Sequence, residues 1–168
     1  MKRIVFSLSL ILATIMMQAQ TVEQRLKSVE DKIALKELVD EFSILSDQKD
    51  GEIQALLFTE NAVVKTYLGD KCILTLKGRK QIGDTFGNFL KSQETVYHIN
   101  GQQTVKVDGD KATGISYCQV TLIANTNGKH TQTMQGVYYN DEYVRVNGKW
   151  LINKRDSHFQ WRETKIIE

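Results

Sequence analysis

The stretch Ser46-Asp47-Gln48-Lys49-Asp50-Gly51 lies where a helical pattern ends, and Leu56-Leu57-Phe58-Thr59-Glu60-Asn61-Ala62 follows it. The first segment has the composition of an acidic turn, and the second leads from a short apolar helix into a strand. A carboxylate at such a corner and the imidazole of His98, in a strand-like run further on, are groups that can meet inside a pocket. The sequence therefore predicts a cavity between helices and a curved sheet.

Upstream of this turn, apolar residues recur at helical spacing. Val22, Leu26, Val29 and Ile33 form one stripe, and Leu35, Leu38, Phe42 and Leu45 continue it after a small phase shift. This pattern predicts one long helix, or two helices with a kink, over about residues 22–47. A short second helix is expected from Glu52 to Phe58, and a third after Gly78-Arg79.

Most of the remaining chain has strand patterns separated by turn residues. The predicted strands cover residues 61–68, 72–76, 95–107, 111–124, 130–146 and 149–162. Helices followed by long hairpins indicate an α+β fold, in which three N-terminal helices pack on a strongly curved antiparallel sheet and form a cone-shaped barrel. Gly101, Gly114 and Gly136 interrupt long strands, as bulges or bends in a curved sheet do.

The first twenty residues have the features of a signal peptide. Lys2 and Arg3 precede an apolar run, and Ala19-Gln20 offers a cleavage point. The run is too short for a membrane span, which needs roughly 20 apolar residues. We therefore expect an exported protein, periplasmic or secreted and free of the membrane after cleavage, with a single domain over residues 21–168.

The charge and cysteine content narrow the possible partners. Without the two basic residues of residues 1–20, the chain has 20 basic and 20 acidic residues, with no basic stripe, so nucleic acid and anionic membranes are poor partners. Cys72 and Cys118 either form a disulfide or act as free apolar residues, and the free interpretation is favoured. The histidines at positions 98, 130 and 158 lack the spacing of metal ligands.

Asp47 and His98 are the candidate catalytic residues. A carboxylate at a helix C-terminus opposes the helix dipole, and such a local cost is a functional hint, although a solvated turn explains it equally well. His98 shares the polar face of its strand with Asn100 and faces either water or a pocket. If it faces a pocket, we expect Asp47 to fix its tautomer and raise its basicity.

Tyrosines and one arginine are candidates for binding the substrate. Tyr67, Tyr117 and Tyr138 are phenols that can steady a developing oxyanion, although most strand tyrosines are packing residues. Because Tyr138 and Tyr139 are adjacent, at most one of them points into a cavity. Arg155 either anchors an acidic ligand group or pairs with a structural acid such as Asp141. No nucleophile motif, phosphate-binding loop or dinucleotide fingerprint is present, which indicates chemistry without a cofactor.

The order of elements resembles the SnoaL-like branch of the nuclear transport factor 2-like superfamily. The matching segments are Leu38 to Asp50, Leu57-Phe58-Thr59-Glu60-Asn61-Ala62-Val63-Val64, Gly78-Arg79, His98, Val105 to Ala112, Gly136 to Arg145, Asn147-Gly148-Lys149-Trp150-Leu151-Ile152 and Arg155. Together they cover about residues 30–162.

The resemblance implies a cone with a ligand cavity, often in a homodimer packed through the sheet. Enzymes of the family include dehydratases, isomerases, cyclases and dehydrochlorinases, and in the dehydratase group an Asp at the end of the first helix partners a strand His. Asp47 and His98 match those positions. Such dehydratases also use a second His on the next strand, where this chain has Ser116-Tyr117-Cys118-Gln119-Val120-Thr121.

These observations favour two functional hypotheses. One is a cofactor-independent lyase or isomerase in which Asp47 orients His98 as a base toward a small apolar or carbonyl-containing molecule. The other is a non-catalytic module that binds a ligand in the same cavity, and a dimeric interaction domain is a third interpretation.

Overall fold

The computed structural model describes the backbone of residues 2–167 and the side chains of residues 21–125 and 127–167. Helix α1 (Lys2–Asp47) comes first, and contacts divide the chain into two compact units, Met1–Ala34 and Leu35–Glu168. The predicted signal peptide, residues 1–20, falls where no side chains are described, so its cleavage stays a prediction. None of the described helices is both long and apolar enough to cross a membrane.

The first unit contains the beginning of the predicted apolar stripe. Its four members, Val22, Leu26, Val29 and Ile33, are 53–61% exposed. Within the same unit, Lys27 and Asp31 form an ion pair of 3.4 Å one helical turn apart. The periodicity therefore predicted the helix correctly, but it did not distinguish these exposed residues from those that form a core.

The second unit begins at Leu35, which is completely buried. After α1 ends, Lys49 adopts a positive φ of 60° and reverses the chain. Asp50 then caps helix α2 (Gly51–Ala55), because its carboxylate accepts a hydrogen bond of 3.0 Å from the backbone amide of Ile53. The turn interpretation of Asp50 is thus confirmed.

Helix α3 and six strands complete the unit. The elements are β1 (Phe58–Leu68), β2 (Lys71–Lys77), α3 (Arg79–Lys91), β3 (Thr95–Asp108), β4 (Lys111–Thr126), β5 (Lys129–Val146) and β6 (Lys149–Ile167). The strand order is β2-β1-β6-β5-β4-β3, and the curved sheet is not closed. All neighbouring pairs are antiparallel except β1 and β6, which are parallel. The predicted α+β class is confirmed, and the one parallel pair arises because the last strand inserts beside the first.

Glycines shape the sheet in two ways. Gly101 and Gly136 lie at register shifts, of β3 against β4 and of β5 against β6, so the predicted irregularities are confirmed there. Gly114 lies in regular pairing instead. A Cβ atom at this position would lie 2.9 Å from Cγ1 of Val105, so the glycine permits close packing rather than a bulge.

The hydrophobic core beside the site is formed by α3 and the side of the sheet that faces it. Its buried members are Leu90, Val96, Cys118, Val120, Leu122, Val137 and Tyr139, with Phe86 and Phe159 packed against them. Cys118 is a buried free thiol and Cys72 an exposed one. The free interpretation of both cysteines is therefore confirmed.

Candidate active site

A cavity of about 530 Å³ lies within the second unit. Its walls come from the last turns of α1, from α2 and α3, and from the facing side of the sheet. The lining side chains include Phe42, Ser46, Gln54, Phe86, Leu90, His98, Leu122, Tyr139, Arg155, Phe159, Arg162 and Thr164. The wall thus combines aromatic and aliphatic side chains with hydroxyl, amide, imidazole and guanidinium groups that could orient a small molecule.

Asp47 and His98 meet at one side of this cavity. Oδ1 of Asp47 lies 2.6 Å from Nδ1 of His98, and Oδ2 accepts a hydrogen bond of 3.2 Å from the His98 backbone amide. A carboxylate can only accept, so the proton lies on Nδ1 and leaves Nε2 with a free lone pair. The His98 side chain is 8% exposed and lines the cavity. This geometry is that of an oriented base.

Asn100 holds the end of α1 against β3. Its side-chain amide donates 2.9 Å to Oδ1 of Asp40, and its carbonyl accepts 3.0 Å from the Ser43 hydroxyl. Because strand alternation puts Asn100 on the same face as His98, both side chains meet the helix. The polar face predicted for this strand therefore contacts α1 and the cavity rather than bulk water.

Burial is the largest influence on the ionisation of His98. It lowers the pKa of the imidazole below the ordinary value of 6.5, because the charged form loses hydration. The hydrogen bond and charge of Asp47 oppose this effect, and the nearby Arg155 guanidinium adds to it. His98 is therefore neutral at neutral pH, which a proton-abstracting base requires.

Arg155 lies on the floor of the cavity and is completely buried. Its Nε and Nη2 donate to the two carboxylate oxygens of Asp141 at 2.8 and 2.7 Å. The guanidinium is also sandwiched between the rings of Phe42 and Tyr139, at 4.3 and 4.2 Å from their centroids. The predicted pairing with Asp141 is thus observed, and Arg155 also lines the cavity.

Two buried polar atoms of the lining have no partner among the described residues. They are Nη1 of Arg155, a donor, and Oε1 of Gln54, an acceptor. The amide nitrogen of Gln54 is occupied by the carbonyl of Phe42 at 3.0 Å and by the Ser46 hydroxyl. An unpaired buried polar atom is costly, so a donor and an acceptor left free in one cavity are suited to a polar ligand group.

The three tyrosines predicted to bind substrate do not line this cavity. Tyr67, Tyr138 and Tyr117 lie on the other side of the sheet, here called the outer face, in a row that includes His158. The His158 ring stacks between Tyr67 and Tyr138 at centroid distances of 4.6 and 4.7 Å, and Tyr138 is 5.8 Å from Tyr117. Their interpretation as pocket phenols is therefore corrected to outer-face stacking.

Tyr139, rather than its neighbour Tyr138, points into the cavity. This agrees with the expectation that only one of the two could do so. Burial raises the pKa of its phenol far above the ordinary value, so it remains a neutral hydrogen-bonding group. Gln54 was also missed by the sequence analysis, because a single Gln in a short helix has no pattern that separates it from a surface residue.

A second carboxylate–imidazole pair lies outside the cavity. Oε2 of Glu94 is 2.7 Å from Nδ1 of His130, and both side chains are more than 40% exposed. Glu94 and His130 thus make the same kind of contact as Asp47 and His98, but they are exposed and do not line the cavity. Among the described residues, no cluster of three or more His, Cys, Asp or Glu side chains is suited to a metal ion.

A family model and a known protein are similar in sequence to this chain. The family model of the SnoaL-like domain matches residues 27–156. An uncharacterised protein of Mycobacterium tuberculosis is 26% identical over 133 residues, covering 76% of this chain and 84% of that protein.

Two crystal structures show the same fold. A proposed scytalone dehydratase of Novosphingobium aromaticivorans superimposes with a TM-score of 0.72 at 18% identity, over 84% of this chain and 91% of that one. A hexachlorocyclohexane dehydrochlorinase of type 2 superimposes with a TM-score of 0.69 at 18% identity, over 85% and 93%.

Proposed function

The chain belongs to the SnoaL-like domain family, and on that premise we propose that it is a cofactor-independent lyase or isomerase whose base is His98. The observation that carries the proposal is the 2.6 Å contact between Asp47 and His98 at the wall of the cavity. Relatives of the same fold that are described as a dehydratase and a dehydrochlorinase support this reaction class.

The proposed reaction begins with proton removal. Nε2 of His98 takes a proton from a carbon next to a carbonyl or hydroxyl group, and Asp47 stabilises the imidazolium that forms. The electron pair of the broken C–H bond forms a carbon–carbon double bond. In a lyase it expels a leaving group, which takes the proton from His98. In an isomerase the C=O π electrons move onto the carbonyl oxygen as the double bond forms, and the carbonyl re-forms when His98 returns the proton to a different carbon.

Arg155 is the proposed partner of the negative charge that develops on the substrate oxygen. Its Nη1 nitrogen is unpaired in the described structure, and its other two nitrogens, Nε and Nη2, each donate to Asp141, so the guanidinium is fixed before substrate arrives. Fixed donors stabilise developing charge better than mobile ones. This role replaces the one that the sequence analysis gave to Tyr67 and Tyr117.

The test is turnover by matched variants. Candidate carbonyl and hydroxy compounds are incubated with the protein in D₂O, and proton exchange or elimination is followed by NMR. Asp47→Asn and His98→Ala are expected to abolish turnover and to keep the circular dichroism spectrum of the wild type. His130→Ala is the control, because it removes the exposed imidazole of the other pair. Full activity in both cavity variants would exclude this mechanism.

A binding module is the second candidate, and one observation favours it. The cavity-side residues of β4 beside His98 are Cys118, Val120 and Leu122, so no second imidazole stands there. In a binding protein, His98→Gln should weaken ligand affinity by about 1–2 kcal/mol, as for one ordinary hydrogen bond. In an enzyme the same change should remove nearly all of the rate.

Location and assembly belong to the proposal as well. The basic start and apolar run of residues 1–20 support export to the periplasm or the medium. Aromatic and aliphatic side chains exposed on the outer face support a homodimer. The proposed ligand is a small, largely apolar molecule with a carbonyl or hydroxyl group.

A further inference from the structure

Strand β6 lines the cavity from Arg155 to Thr164, and its side-chain alternation changes once within that stretch. Arg155, Ser157 and Phe159 face the cavity, and after them Arg162 and Thr164 do so. Regular alternation would have turned residues 161 and 163 inward. The register against β5 shifts here, so that one residue more is present on β6 than on β5. This bulge is what directs Arg162 into the cavity.

The contact between Gly136 and Trp161 holds the bulge in place. A Cβ atom at Gly136 would lie 2.1 Å from Nε1 of the indole, so the ring occupies the space that any side chain would need. Gly136 and Trp161 are paired directly across the two strands. Because both project to the outer face, the residue that follows Trp161 must face the cavity.

The cavity wall has more positively than negatively charged side chains. Among the described lining residues, the arginines are Arg155 and Arg162, and no Asp or Glu is present. Asp141 neutralises Arg155 from behind at 2.7 Å. No ion pair of Arg162 is found in the described part of the chain, so its charge is available to a ligand. Gln135 lies opposite it on β5 and adds a second polar group at the same place.

The two arginines are at different depths. Arg155 is completely buried, whereas Arg162 is exposed to solvent, so β6 runs from the closed end of the cavity to its open end. Seven residues of strand span about 20 Å. On β6 itself, Ser157 and Phe159 line the cavity between the two arginines. The cavity therefore has a buried end at Arg155 and a solvent-exposed, cationic mouth at Arg162.

We propose that Arg162 binds an anionic group of the substrate at this mouth, so that the cavity takes an elongated apolar molecule with a carboxylate at one end. The opposite end of such a molecule reaches His98 and Arg155. The proposed function is needed only to say which end of this molecule reacts. Binding of the anionic group by Arg162 does not depend on turnover.

Two fluorescent dyes with the same aromatic body test the site. 8-Anilinonaphthalene-1-sulfonate carries an anionic group, and N-phenyl-1-naphthylamine is neutral. Titration of each dye into the purified protein gives two dissociation constants for every variant. We expect Arg162→Gln to weaken binding of the sulfonate dye by about tenfold, as for loss of a hydrogen bond to a charged group. Binding of the neutral dye should change less than about twofold.

Two further variants control for charge and for location. Lys165→Gln removes the same charge from the same strand outside the cavity lining, and both dyes should bind it as they bind the wild type. Thr164→Trp places an indole in the mouth beside Arg162, and both dyes should bind it more weakly. If the dissociation constant of the sulfonate dye is the same for Arg162→Gln or for Thr164→Trp as for the wild type, the anion site is disproved.

The two proposals fail separately. Loss of turnover in His98→Ala with no effect of Arg162→Gln on the sulfonate dye would retain the enzyme and remove the anion site. An effect of Arg162→Gln on that dye, in a protein whose activity does not need Asp47 or His98, would retain the anion site and remove the mechanism.

Discussion

At the scale of single residues, the ionisation of His98 decides what the site can do. Burial lowers its pKa and Asp47 raises it, with burial the larger effect. We predict that an NMR titration of the His98 ring gives a pKa below 6.5, and that kcat/KM falls only as pH drops below that value. In Asp47→Asn the pKa should fall further, since the carboxylate that favours the cation is gone. A His98 pKa at or above 6.5 in the wild type would contradict this account.

The same pKa shift has a consequence for stability. The unfolded chain binds the His98 proton more readily than the folded one, because the folded-state pKa is depressed. This contribution is therefore present above the unfolded pKa and is lost as pH falls through the folded-state value. We expect the acid-induced loss of stability to be smaller in His98→Gln than in the wild type, as measured by urea unfolding at several pH values. Equal losses in the two proteins would show that His98 contributes nothing.

The Arg155–Asp141 pair predicts a large and specific effect on folding. Both side chains are buried, and once the guanidinium is removed the Asp141 carboxylate keeps only one side-chain hydrogen bond among the described residues, from the Tyr143 hydroxyl at 2.8 Å. Arg155→Met should lower the free energy of unfolding by about 3–5 kcal/mol, the cost of leaving one charge of a buried pair alone. Adding Asp141→Leu should recover much of that loss, because no buried charge remains. A double variant no more stable than Arg155→Met, in urea unfolding, would contradict the explanation.

At the scale of elements, Gly136 permits the bulge of β6. Gly136→Ala should destabilise the fold by about 1–3 kcal/mol, the usual cost of overpacking, because the new methyl group overlaps the Trp161 indole. The effect should be much smaller in a Trp161→Ala background. Gly101→Ala is a matched control in another irregular strand, since its Cβ would meet nothing closer than 3.6 Å. Similar losses in the two alanine variants, by urea unfolding, would argue against the indole contact.

The elements themselves were largely readable from the sequence. Helical spacing predicted α1 and α3, and the turn residues at Gly69-Asp70 and Asn147-Gly148 separate observed strands. Helical spacing does not show, however, which part of an apolar stripe is buried by other elements. Leu35 is fully buried, whereas Ile33, two residues earlier, is 53% exposed. The small phase shift in the apolar pattern falls between these two residues, where the helix changes from exposed to buried.

At the scale of the whole molecule, the faces of the strands explain which of the predicted residues lie at the cavity. The contact between Asp47 and His98 was predictable, because the end of a helix and the face of a strand each fix the direction of a side chain. Tyr67 was misassigned because alternation relates neighbours but does not say which face is inside, and the register of β1 shifts between Thr66 and Tyr67. The position of Arg162 depends on a bulge, and a bulge depends on a contact between residues from two strands. Gly136 indicated an irregularity in its own strand, but local sequence patterns do not show that the extra residue lies on β6 and turns Arg162 inward.

The outer face of the sheet leads to a prediction about assembly. Tyr97, Ile99, Tyr117 and Trp161 are 47–55% exposed there, beside the stacked row that contains His158. A contiguous exposed face of this kind is typical of a protein–protein interface, and aromatic residues are enriched in such interfaces. We predict a homodimer packed through this face, with the two cavities on the sides that point away from each other.

Light scattering after size-exclusion chromatography tests the homodimer. The wild type should have twice the mass of one chain at micromolar concentration. Tyr117→Glu should give a monomer, because a buried unpaired charge costs several kcal/mol. Ile53→Glu is the control, since it places the same charge on an exposed apolar residue of α2, away from the sheet. A monomeric wild type, or a Tyr117→Glu variant that remains dimeric, would refute the interface. Retention of dye binding by monomeric Tyr117→Glu would further show that each chain forms a complete cavity by itself.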